Sequence, residues 1–316
     1  MKKNFKKIIG ITTLIILLLL CIGAVALSIF TGKQVAEGLI FFNKGNDTKS
    51  NSINQLKEWG YDLAQFEKTY TPVTLEIEAA DGNKIPAFLF SKETNTDTVI
   101  LVHGFGGDHV SVYPIAQMYL ENNWNVITFD ARGAGDSKDE RTSFGYYEIE
   151  DLRALASYAA TTLHSERIII HGQSMGAAAT GLFASSEYAS MVDAVIMDSP
   201  FESMEKMFLA VWHEMEGSEG IPDDYVIACG DWYLKQFYGF SFKDTDVMEK
   251  MKENETKTLI IGSTQDNLIA VDKTTEMFHN IKSEKKEICY FDCPHIKGIY
   301  DFPAEYADTV FSFINN

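Results

Sequence analysis

The serine at position 174 lies in a sequence context that could make its hydroxyl a nucleophile. Residues 172–176 read Gly-Gln-Ser-Met-Gly, a G-x-S-x-G pattern. An apolar run at 167–171 precedes them and three alanines follow at 177–179, which predicts a buried strand, a sharp turn and a helix. Such a turn is strained and brings strand and helix close together, so residues without side chains are needed on both sides of the serine. We therefore expect an exposed hydroxyl at the carboxyl end of a strand.

Two further residues could form a proton relay with Ser174. His295 follows the last predicted strand, and Asp266 follows the strand before it. A serine hydroxyl is a weak nucleophile until a base removes its proton, and an acidic group must hold that base in the right tautomer. We expect Ser174 to be the nucleophile, His295 the general base and then acid, and Asp266 the group that orients His295. Asp198, at the end of an earlier strand, is the alternative acid.

Acyl-transfer chemistry at Ser174 also requires two backbone donors aimed at the negative charge that develops on the substrate oxygen. The amide of Met175, at the start of the helix after the serine, is one candidate. The loop after the first predicted parallel strand, residues 103–107, reads His-Gly-Phe-Gly-Gly, and its glycines allow close approach of the backbone. The amide of Phe105 is therefore the second candidate. His103 is expected to support this loop rather than to react.

The elements that must position these residues alternate along the chain. Residues 73–90 predict an antiparallel hairpin, and buried strands and helices then follow each other to the end of the chain. This order predicts an α/β fold with a mostly parallel, doubly wound sheet, which binds ligands at the carboxyl ends of its strands. An insertion at about 201–255 is rich in methionine and aromatic residues. It predicts a helical lid over the strand ends, and packing into the main core is the alternative.

The N-terminal region has the composition of a membrane-spanning segment. Residues 8–30 form a stretch of 23 residues without a charged side chain, preceded by four lysines. At about 1.5 Å per residue this stretch crosses a hydrocarbon core of about 30 Å. The lysines predict a cytoplasmic N-terminus and an extracytoplasmic domain. We expect residues 1–30 to be the flank and anchor, 31–70 a tether with a short helical segment, and 71–316 the main domain.

Two other interpretations of the N-terminal segment remain open. Ala24, Val25 and Ala26 resemble a signal-peptide cleavage site, although the apolar residues continue beyond it. Cys21 could be lipidated, but Leu20 before it is larger than the residue expected there. All three interpretations export the domain, so secretion after cleavage is the alternative location.

Charge and cysteine content limit the possible partners. The chain has 27 basic and 45 acidic residues, and beyond residue 30 the balance is 23 to 45, a net charge of −22. Such a domain is repelled by nucleic acid and by anionic lipid headgroups. The four cysteines indicate no disulfide framework, and the pair Cys289 and Cys293 has no second ligand pair. We expect neither a metal nor an organic cofactor, and the oligomeric state is not predicted.

Taken together, these motifs resemble those of the α/β-hydrolase superfamily over residues 71–316. The resemblance rests on the segments 103–107, 130–137 and 172–176, and on the loops that hold Asp198, Asp266 and His295. Within the superfamily, the chain is similar to bacterial membrane-anchored or secreted serine hydrolases related to the prolyl-oligopeptidase and acyl-hydrolase branches. The resemblance implies that Asp130 and Arg132 brace a turn instead of taking part in chemistry.

The predicted activity is that of a serine hydrolase acting on small-molecule carboxylic esters or acyl groups. The apolar lid favours acyl substrates, and the chain lacks the large N-terminal propeller of prolyl oligopeptidases. A peptidase or amidase acting on extracellular peptides is the enzymatic alternative. A hydrolase-like binding protein without catalytic activity is the alternative from another class.

Overall fold

The computed structural model describes residues 2–215, 218 and 220–316. Within these residues the chain forms twelve α-helices and eight β-strands, joined by loops and short 3₁₀ turns. In chain order the elements are α1 (Lys2–Ile40), α2 (Thr48–Glu58), α3 (Leu63–Thr69), β1 (Val73–Glu78), β2 (Lys84–Phe90), β3 (Asp97–Val102), α4 (Tyr113–Glu121), β4 (Asn125–Phe129), α5 (Glu148–Thr161), β5 (Arg167–Gln173), α6 (Met175–Ala184), β6 (Ala194–Asp198), α7 (Met204–Glu214), α8 (Asp223–Phe237), α9 (Val247–Lys250), β7 (Thr258–Ser263), α10 (Val271–Asn280), β8 (Lys286–Phe291), α11 (Gly298–Asp301) and α12 (Pro303–Asn315).

The strands form one eight-stranded sheet in the order β1-β2-β4-β3-β5-β6-β7-β8. β1 and β2 are an antiparallel hairpin, and β2 pairs antiparallel with β4. From β4 to β8 all neighbouring strands are parallel. The predicted hairpin and doubly wound sheet are confirmed. Because β5 to β8 are parallel neighbours, the loops after these strands meet at one edge of the sheet.

Burial of the strands explains why their sequences are nearly continuous apolar runs. β4, β6 and β7 are buried along their whole length, since helices cover both faces of the sheet. The edge strand β1 alternates between exposed and partly buried residues instead. The central strands are thereby fixed firmly, and their carboxyl ends are a rigid base for side chains in the following loops.

The first helix differs from the predicted anchor and tether. The uncharged stretch is helical and exposed, and α1 is long and apolar enough to cross a membrane, with a mean hydropathy of 2.9 in an 18-residue window. The helix then continues to Ile40 without a break. Its last turns are buried against the domain, because Val35, Ala36, Leu39 and Ile40 are spaced to form one apolar stripe of a helix.

Close packing joins α1 to α8. A Cβ atom at Gly32 would collide with the carbonyl oxygen of Cys229, and one at Gly230 would lie 2.5 Å from the Val35 side chain. The Ser28 Oγ and Tyr225 Oη atoms are 3.2 Å apart. The two backbones approach closely because glycines replace bulkier residues at the crossing. The domain is therefore attached to the apolar helix through direct packing.

The rest of the predicted tether is also ordered. α2 begins at Thr48, where the Asp47 side chain caps it by accepting a hydrogen bond of 3.0 Å from the Ser50 amide. The short helical segment predicted within residues 31–70 is formed by two helices, α2 and α3, which are separated by a turn at Gly60. Leu56 and Phe66 are buried in the main core. Residues 48–69 therefore pack onto the domain.

The insertion at about 201–255 is helical, as predicted, and contains α7, α8 and the short α9. Residues 216, 217 and 219 lie outside the described part. α8 buries Val226 and Leu234 in an apolar cluster with Met175 and Met197 of the main domain. α7 buries only its first residue, Met204, among its described residues. The insertion therefore has features of both alternatives, the lid and the packing into the core. α8 packs into the core, and α7 lies at the surface.

Candidate active site

Ser174 lies at a sharp turn between β5 and α6. Its backbone angles are φ 53° and ψ −114°, a conformation that residues with side chains rarely adopt. A Cβ atom at Gly172 would collide with the carbonyl oxygen of Gly176, and one at Gly176 would collide with that of Val102. Both glycines are therefore required where strand and helix meet. The turn leaves Ser174 partly exposed at the carboxyl edge of the sheet.

The structure brings Ser174, His295 and Asp266 together although they are far apart in sequence. The Oγ of Ser174 lies 2.9 Å from Nε2 of His295, and Nδ1 of His295 lies 2.6 Å from Oδ2 of Asp266. Asp266 can only accept, so Nδ1 carries the proton and Nε2 is free to accept the serine proton. The arrangement can activate the hydroxyl of Ser174 for attack on a carbonyl carbon.

The environment of Asp266 keeps its carboxylate charged. Its side chain is 1% exposed, and burial by itself raises the pKa. The hydrogen bond from His295, together with those from the amides of Ile269 and Leu268, outweighs burial and leaves the pKa of Asp266 below its usual value. Both amides donate to Oδ1 over 2.8 Å. An ionised Asp266 stabilises the positive charge that His295 gains during proton transfer.

The rival acid, Asp198, lies in a separate buried network. Its Oδ2 accepts hydrogen bonds from Gln173 Nε2 at 3.1 Å and from the Tyr306 hydroxyl at 2.9 Å. Complete burial raises its pKa. The backbone carbonyl of Asp198 also accepts a hydrogen bond of 2.8 Å from the Ser174 amide. Among the described residues Asp198 makes no hydrogen bond to His295, so it supports the turn at Ser174 instead of orienting the imidazole.

The loop at 103–107 passes beside the serine. A Cβ atom at Gly104 would lie 3.4 Å from the Cβ of Ser174, so this backbone closely approaches the reacting group. Within the described part of the chain, the amides of Phe105 and Met175 donate no hydrogen bond. Both donors are thus available to a substrate oxygen, and the amide of Met175 is at the N-terminus of α6, where the helix dipole favours negative charge.

Residues that support this loop were only partly identified from sequence. The backbone N–H of Ala131 donates to Nε2 of His103 at 3.0 Å, so Nδ1 carries the proton and donates to the Gly104 carbonyl at 2.8 Å. Asn51 Nδ2 donates to the Gly106 carbonyl at 3.3 Å, and Ser52 Oγ accepts the Asp108 amide at 3.0 Å. Asn51 and Ser52 lie within residues 31–70, the segment predicted to be a tether with a short helical segment. Their helix α2 instead braces the loop beside Ser174.

One group of side chains could offer ligands to a metal ion. The ligand atoms of Asp108, His109 and Asp130 lie within 4.8 Å of one another, and all three residues are buried. Hydrogen bonds already occupy most of these atoms: His109 Nδ1 donates to Asp130 Oδ1 at 2.6 Å, and Asp130 Oδ2 accepts the Asp136 amide at 2.8 Å. Asp108 Oδ2 has no hydrogen-bond partner among the described residues. These contacts brace the turn after β4, which is the part expected of Asp130.

Arg132 is enclosed in the same turn. Its buried guanidinium makes two hydrogen bonds to Asp151, of 2.9 and 2.8 Å, and pairs with Asp81 at 2.7 Å. It therefore links the turn to α5 and to the β1–β2 hairpin. These contacts agree with the structural role expected of Arg132, which is to brace the turn.

An apolar cavity of about 280 Å³ adjoins the loop at 103–107. Phe105 forms part of its wall, whereas Ser174 itself does not line it. The wall comes from the end of α1, from two aromatic residues of the main domain and from α7. The lining residues are Gln34, Val35, Gly38, Leu39, Phe42, Phe105, Phe144, Met207, Phe208, Val211, Trp212 and Met215.

The sheet order and the sharp turn at Ser174 define the α/β-hydrolase fold. A family model described as the alpha/beta hydrolase fold matches residues 97–242, and this match, together with the strand order, supports a member of the α/β-hydrolase superfamily. The esterase Pf2001 of Pyrococcus furiosus superposes with a TM-score of 0.64 and 22% identity, covering 81% of this chain and 95% of that one. At this identity the likeness establishes the fold.

Two curated relatives extend the comparison. The uncharacterized protein YqkD of Bacillus subtilis is 25% identical over 300 residues, which cover 95% of this chain and 97% of YqkD. The uncharacterized membrane protein YNL320W of Saccharomyces cerevisiae is 26% identical over 159 residues, which cover 46% of this chain and 55% of the yeast protein. The similarity to YqkD thus covers nearly the whole of both chains.

Proposed function

We propose that this protein is a membrane-anchored serine hydrolase that cleaves carboxylic esters through an acyl-enzyme on Ser174. The single observation that carries the proposal is the relay of two hydrogen bonds, 2.9 Å from Ser174 to His295 and 2.6 Å from His295 to Asp266. A serine in such a relay has a base within reach of its proton. The proposed steps use only side chains and backbone amides of this chain.

In the first half-reaction the Oγ of Ser174 attacks the ester carbonyl carbon while its proton moves to Nε2 of His295. The carbonyl oxygen becomes an oxyanion, which accepts hydrogen bonds from the amides of Phe105 and Met175. As the C–O bond to the alcohol breaks, Nε2 returns the proton to the leaving oxygen. The acyl group then remains on Ser174.

In the second half-reaction a water molecule takes the place of the alcohol. His295 removes a proton from this water, and the hydroxide attacks the acyl carbon. The second tetrahedral intermediate collapses, the bond to Ser174 Oγ breaks, and His295 returns the proton to the serine. The charged carboxylate of Asp266 stabilises the imidazolium at both stages.

Ester substrates are favoured over peptides by the surroundings of the site. The cavity beside Phe105 is lined almost entirely by apolar residues, which suits a hydrocarbon chain better than a hydrated peptide. The structural neighbour Pf2001 is itself named an esterase.

A peptidase or amidase remains the enzymatic alternative, and a panel of p-nitrophenyl esters and aminoacyl p-nitroanilides separates the two. Faster turnover of the anilides would reject the ester assignment.

The proposed location is the outer side of the cytoplasmic membrane. The exposed apolar part of α1 supports an anchor, and the lysines before it support a cytoplasmic N-terminus. The yeast relative YNL320W is described as a membrane protein, which supports membrane attachment as well. Secretion after cleavage near Ala26 is the alternative location.

One labelling experiment tests both the nucleophile and the location. A charged fluorophosphonate probe that does not cross membranes should label the wild-type protein in intact cells and in broken membranes. Ser174→Ala should abolish labelling in both, because the probe reacts covalently with an activated serine hydroxyl. Equal labelling of wild type and Ser174→Ala would reject the nucleophile. Labelling of the wild type only after the cells are broken would reject the outward orientation.

A further inference from the structure

The cavity beside Phe105 is built partly from the same helix that forms the anchor. Gln34, Gly38 and Leu39 of α1 form one wall, and Met207 and Trp212 of α7 lie in another. Its volume of about 280 Å³ is near the lower end of the range of small-molecule sites, about 300–1,000 Å³. A pocket of this size and polarity suits a single hydrocarbon chain.

The cavity adjoins the proposed site at Phe105. The ring of this residue contacts Phe42, with centroids 4.9 Å apart, and stacks on Phe144 at 6.0 Å. Its backbone amide is a proposed oxyanion donor, and the neighbouring Gly104 closely approaches Ser174. An acyl chain bound in the cavity would therefore extend from the site on the side of Phe105, where the amide is proposed to bind the carbonyl oxygen.

The position of this wall along α1 sets its depth relative to a membrane. The apolar stretch ends at Phe30, the first charged residue after it is Lys33, and the first cavity residue is Gln34. Four residues of helix advance by about 6 Å, which is about the thickness of the headgroup region on one side of a bilayer. With residues 8–30 in the hydrocarbon, the near rim of the cavity lies at the level of the headgroups.

The helices of the insertion reach the same level. Tyr225 near the start of α8 contacts Ser28, which lies within the uncharged stretch, at 3.2 Å. The nearby apolar residues Val211, Met215 and Ile221 are 47%, 53% and 41% exposed. Exposed apolar side chains at the level of a bilayer surface are stabilised by contact with lipid. With residues 8–30 in a bilayer, these exposed side chains would place the rim of the cavity against the lipid.

We propose that the cavity binds the fatty acyl chain of a lipid ester that enters from the bilayer, and that α1 is a wall of the substrate site as well as an anchor. The proposal rests on the serine hydrolase function and names its substrate class. A chain leaving the hydrocarbon would pass the rim formed by α1 and α7 and present its ester carbonyl to the site.

Gly38 allows a direct test. It lines the cavity, and a Cβ atom there meets no atom within 4 Å, so a larger side chain has room to enter. Gly23 on the same helix also meets no atom within 4 Å, and it lies in the membrane-spanning stretch away from the cavity. Gly38→Leu and Gly23→Leu are therefore a matched pair on one helix.

The experiment uses the full-length protein reconstituted into phosphatidylcholine vesicles, with 4-methylumbelliferyl oleate and butyrate as substrates. Gly38→Leu should lower the ratio of oleate to butyrate hydrolysis by at least about tenfold, because steric changes of a few methylenes in an apolar pocket have effects of this size. Gly23→Leu should leave the ratio at the wild-type value. The rate on oleate should follow the mole fraction of ester in the vesicles at constant bulk concentration.

Two results would overturn the inference while leaving the hydrolase function intact. One is an equal ratio of oleate to butyrate hydrolysis for the wild type and Gly38→Leu. The other is a rate of oleate hydrolysis that is independent of the mole fraction of the ester in the membrane. Failure of the hydrolase function itself is distinguishable, since the wild type would then neither cleave butyrate nor react with the fluorophosphonate probe.

Discussion

Among the described residues, six with side chains have a positive φ, and three of the six lie around the proposed site. Ser174, Ser199 and Ile296 all have φ of 53°, a value that is unfavourable for residues with side chains and most of all for β-branched ones. Each such residue costs on the order of 1–3 kcal/mol and persists only where the surroundings fix it. Ser199 follows Asp198, and Ile296 follows His295. Ser174, Ser199 and Ile296 therefore lie in three strained turns, which orient polar side chains at one edge of the sheet.

The two acidic residues at this edge should respond differently to loss of charge. Asp266→Asn should lower kcat by roughly 10⁴-fold, because an amide cannot hold His295 in the tautomer that accepts the serine proton. Asp198→Asn should keep kcat within about tenfold of the wild-type value, since its hydrogen bonds to Gln173 and Tyr306 can be made by an amide oxygen. The measurement is ester hydrolysis by the two variants and the wild type under one set of conditions.

Circular dichroism and fluorophosphonate labelling are the controls for this pair. Both variants should retain the wild-type spectrum, so that a loss of rate reflects chemistry. Loss of activity in Asp198→Asn alone would reverse the assignment of the acid.

At the scale of elements, the attachment of α1 to α8 is the feature with the largest consequence. The crossing depends on Gly32 and Gly230, where additional atoms would meet the partner helix. The same stretch of α1 then buries Val35 and Ala36 in the apolar cluster of the domain. The apolar helix and the main domain are thereby one packed structure, so the direction of the helix axis fixes the orientation of the domain.

Substitution of Gly32 should loosen this attachment. The new side chain in Gly32→Leu would meet the backbone of Cys229, which cannot move aside without shifting α8. Overpacking of this kind costs about 1–3 kcal/mol. The melting temperature of the detergent-solubilised protein should fall by several degrees, as measured by differential scanning fluorimetry.

Gly10→Leu is a matched control, because a Cβ atom at Gly10 on the same helix meets no atom within 4 Å. It should melt at the wild-type temperature. Equal melting temperatures for Gly32→Leu and the wild type would show that α1 does not pack against α8 as described.

Across the whole molecule, a buried polar network connects the sheet to its flanking helices. Tyr306 donates to Asp198 Oδ2, so Nε2 of His171 must donate to the Tyr306 hydroxyl, at 3.0 Å. Nδ1 of His171 then accepts from Tyr119 at 3.2 Å. Complete burial lowers the pKa of His171 to about 3, so the imidazole stays neutral in the folded protein.

This network should make stability depend on pH. An exposed histidine in the unfolded chain has a pKa of about 6.5, so below that value the unfolded state binds a proton that folded His171 does not take up. The stabilisation is complete above about pH 6.5 and is lost as the pH falls towards 3. Between pH 7 and pH 5 the free energy of unfolding should decrease by about 2 kcal/mol through this residue.

His171→Gln isolates the contribution, since glutamine can donate to Tyr306 and accept from Tyr119 without titrating. The decrease in unfolding free energy from pH 7 to pH 5, measured by urea denaturation of the solubilised protein, should be smaller in the variant by that amount. Parallel pH dependences of variant and wild type would contradict the prediction.

Much of this architecture was accessible from local sequence. The turn at Ser174 could be located because its two glycines are demanded by contacts within a few residues, and the strands could be located because buried parallel strands are apolar throughout. The hairpin and the doubly wound sheet followed from the order of these elements. The helical continuation of α1 was missed, although Val35, Ala36, Leu39 and Ile40 have helical spacing, since the neighbouring polar stretch at 43–52 indicated a tether.

The sequence by itself determined the elements, the turn at Ser174 and the set of polar residues at strand ends, because periodicity and glycine requirements act over short distances along the chain. Only the tertiary structure decided that Asp266 and not Asp198 contacts His295, since both follow strands at the same sheet edge and their separation from the imidazole depends on loop paths. It also decided that α1 lines the cavity beside Phe105. Contacts between distant segments arise from packing of the whole chain, which no local pattern specifies.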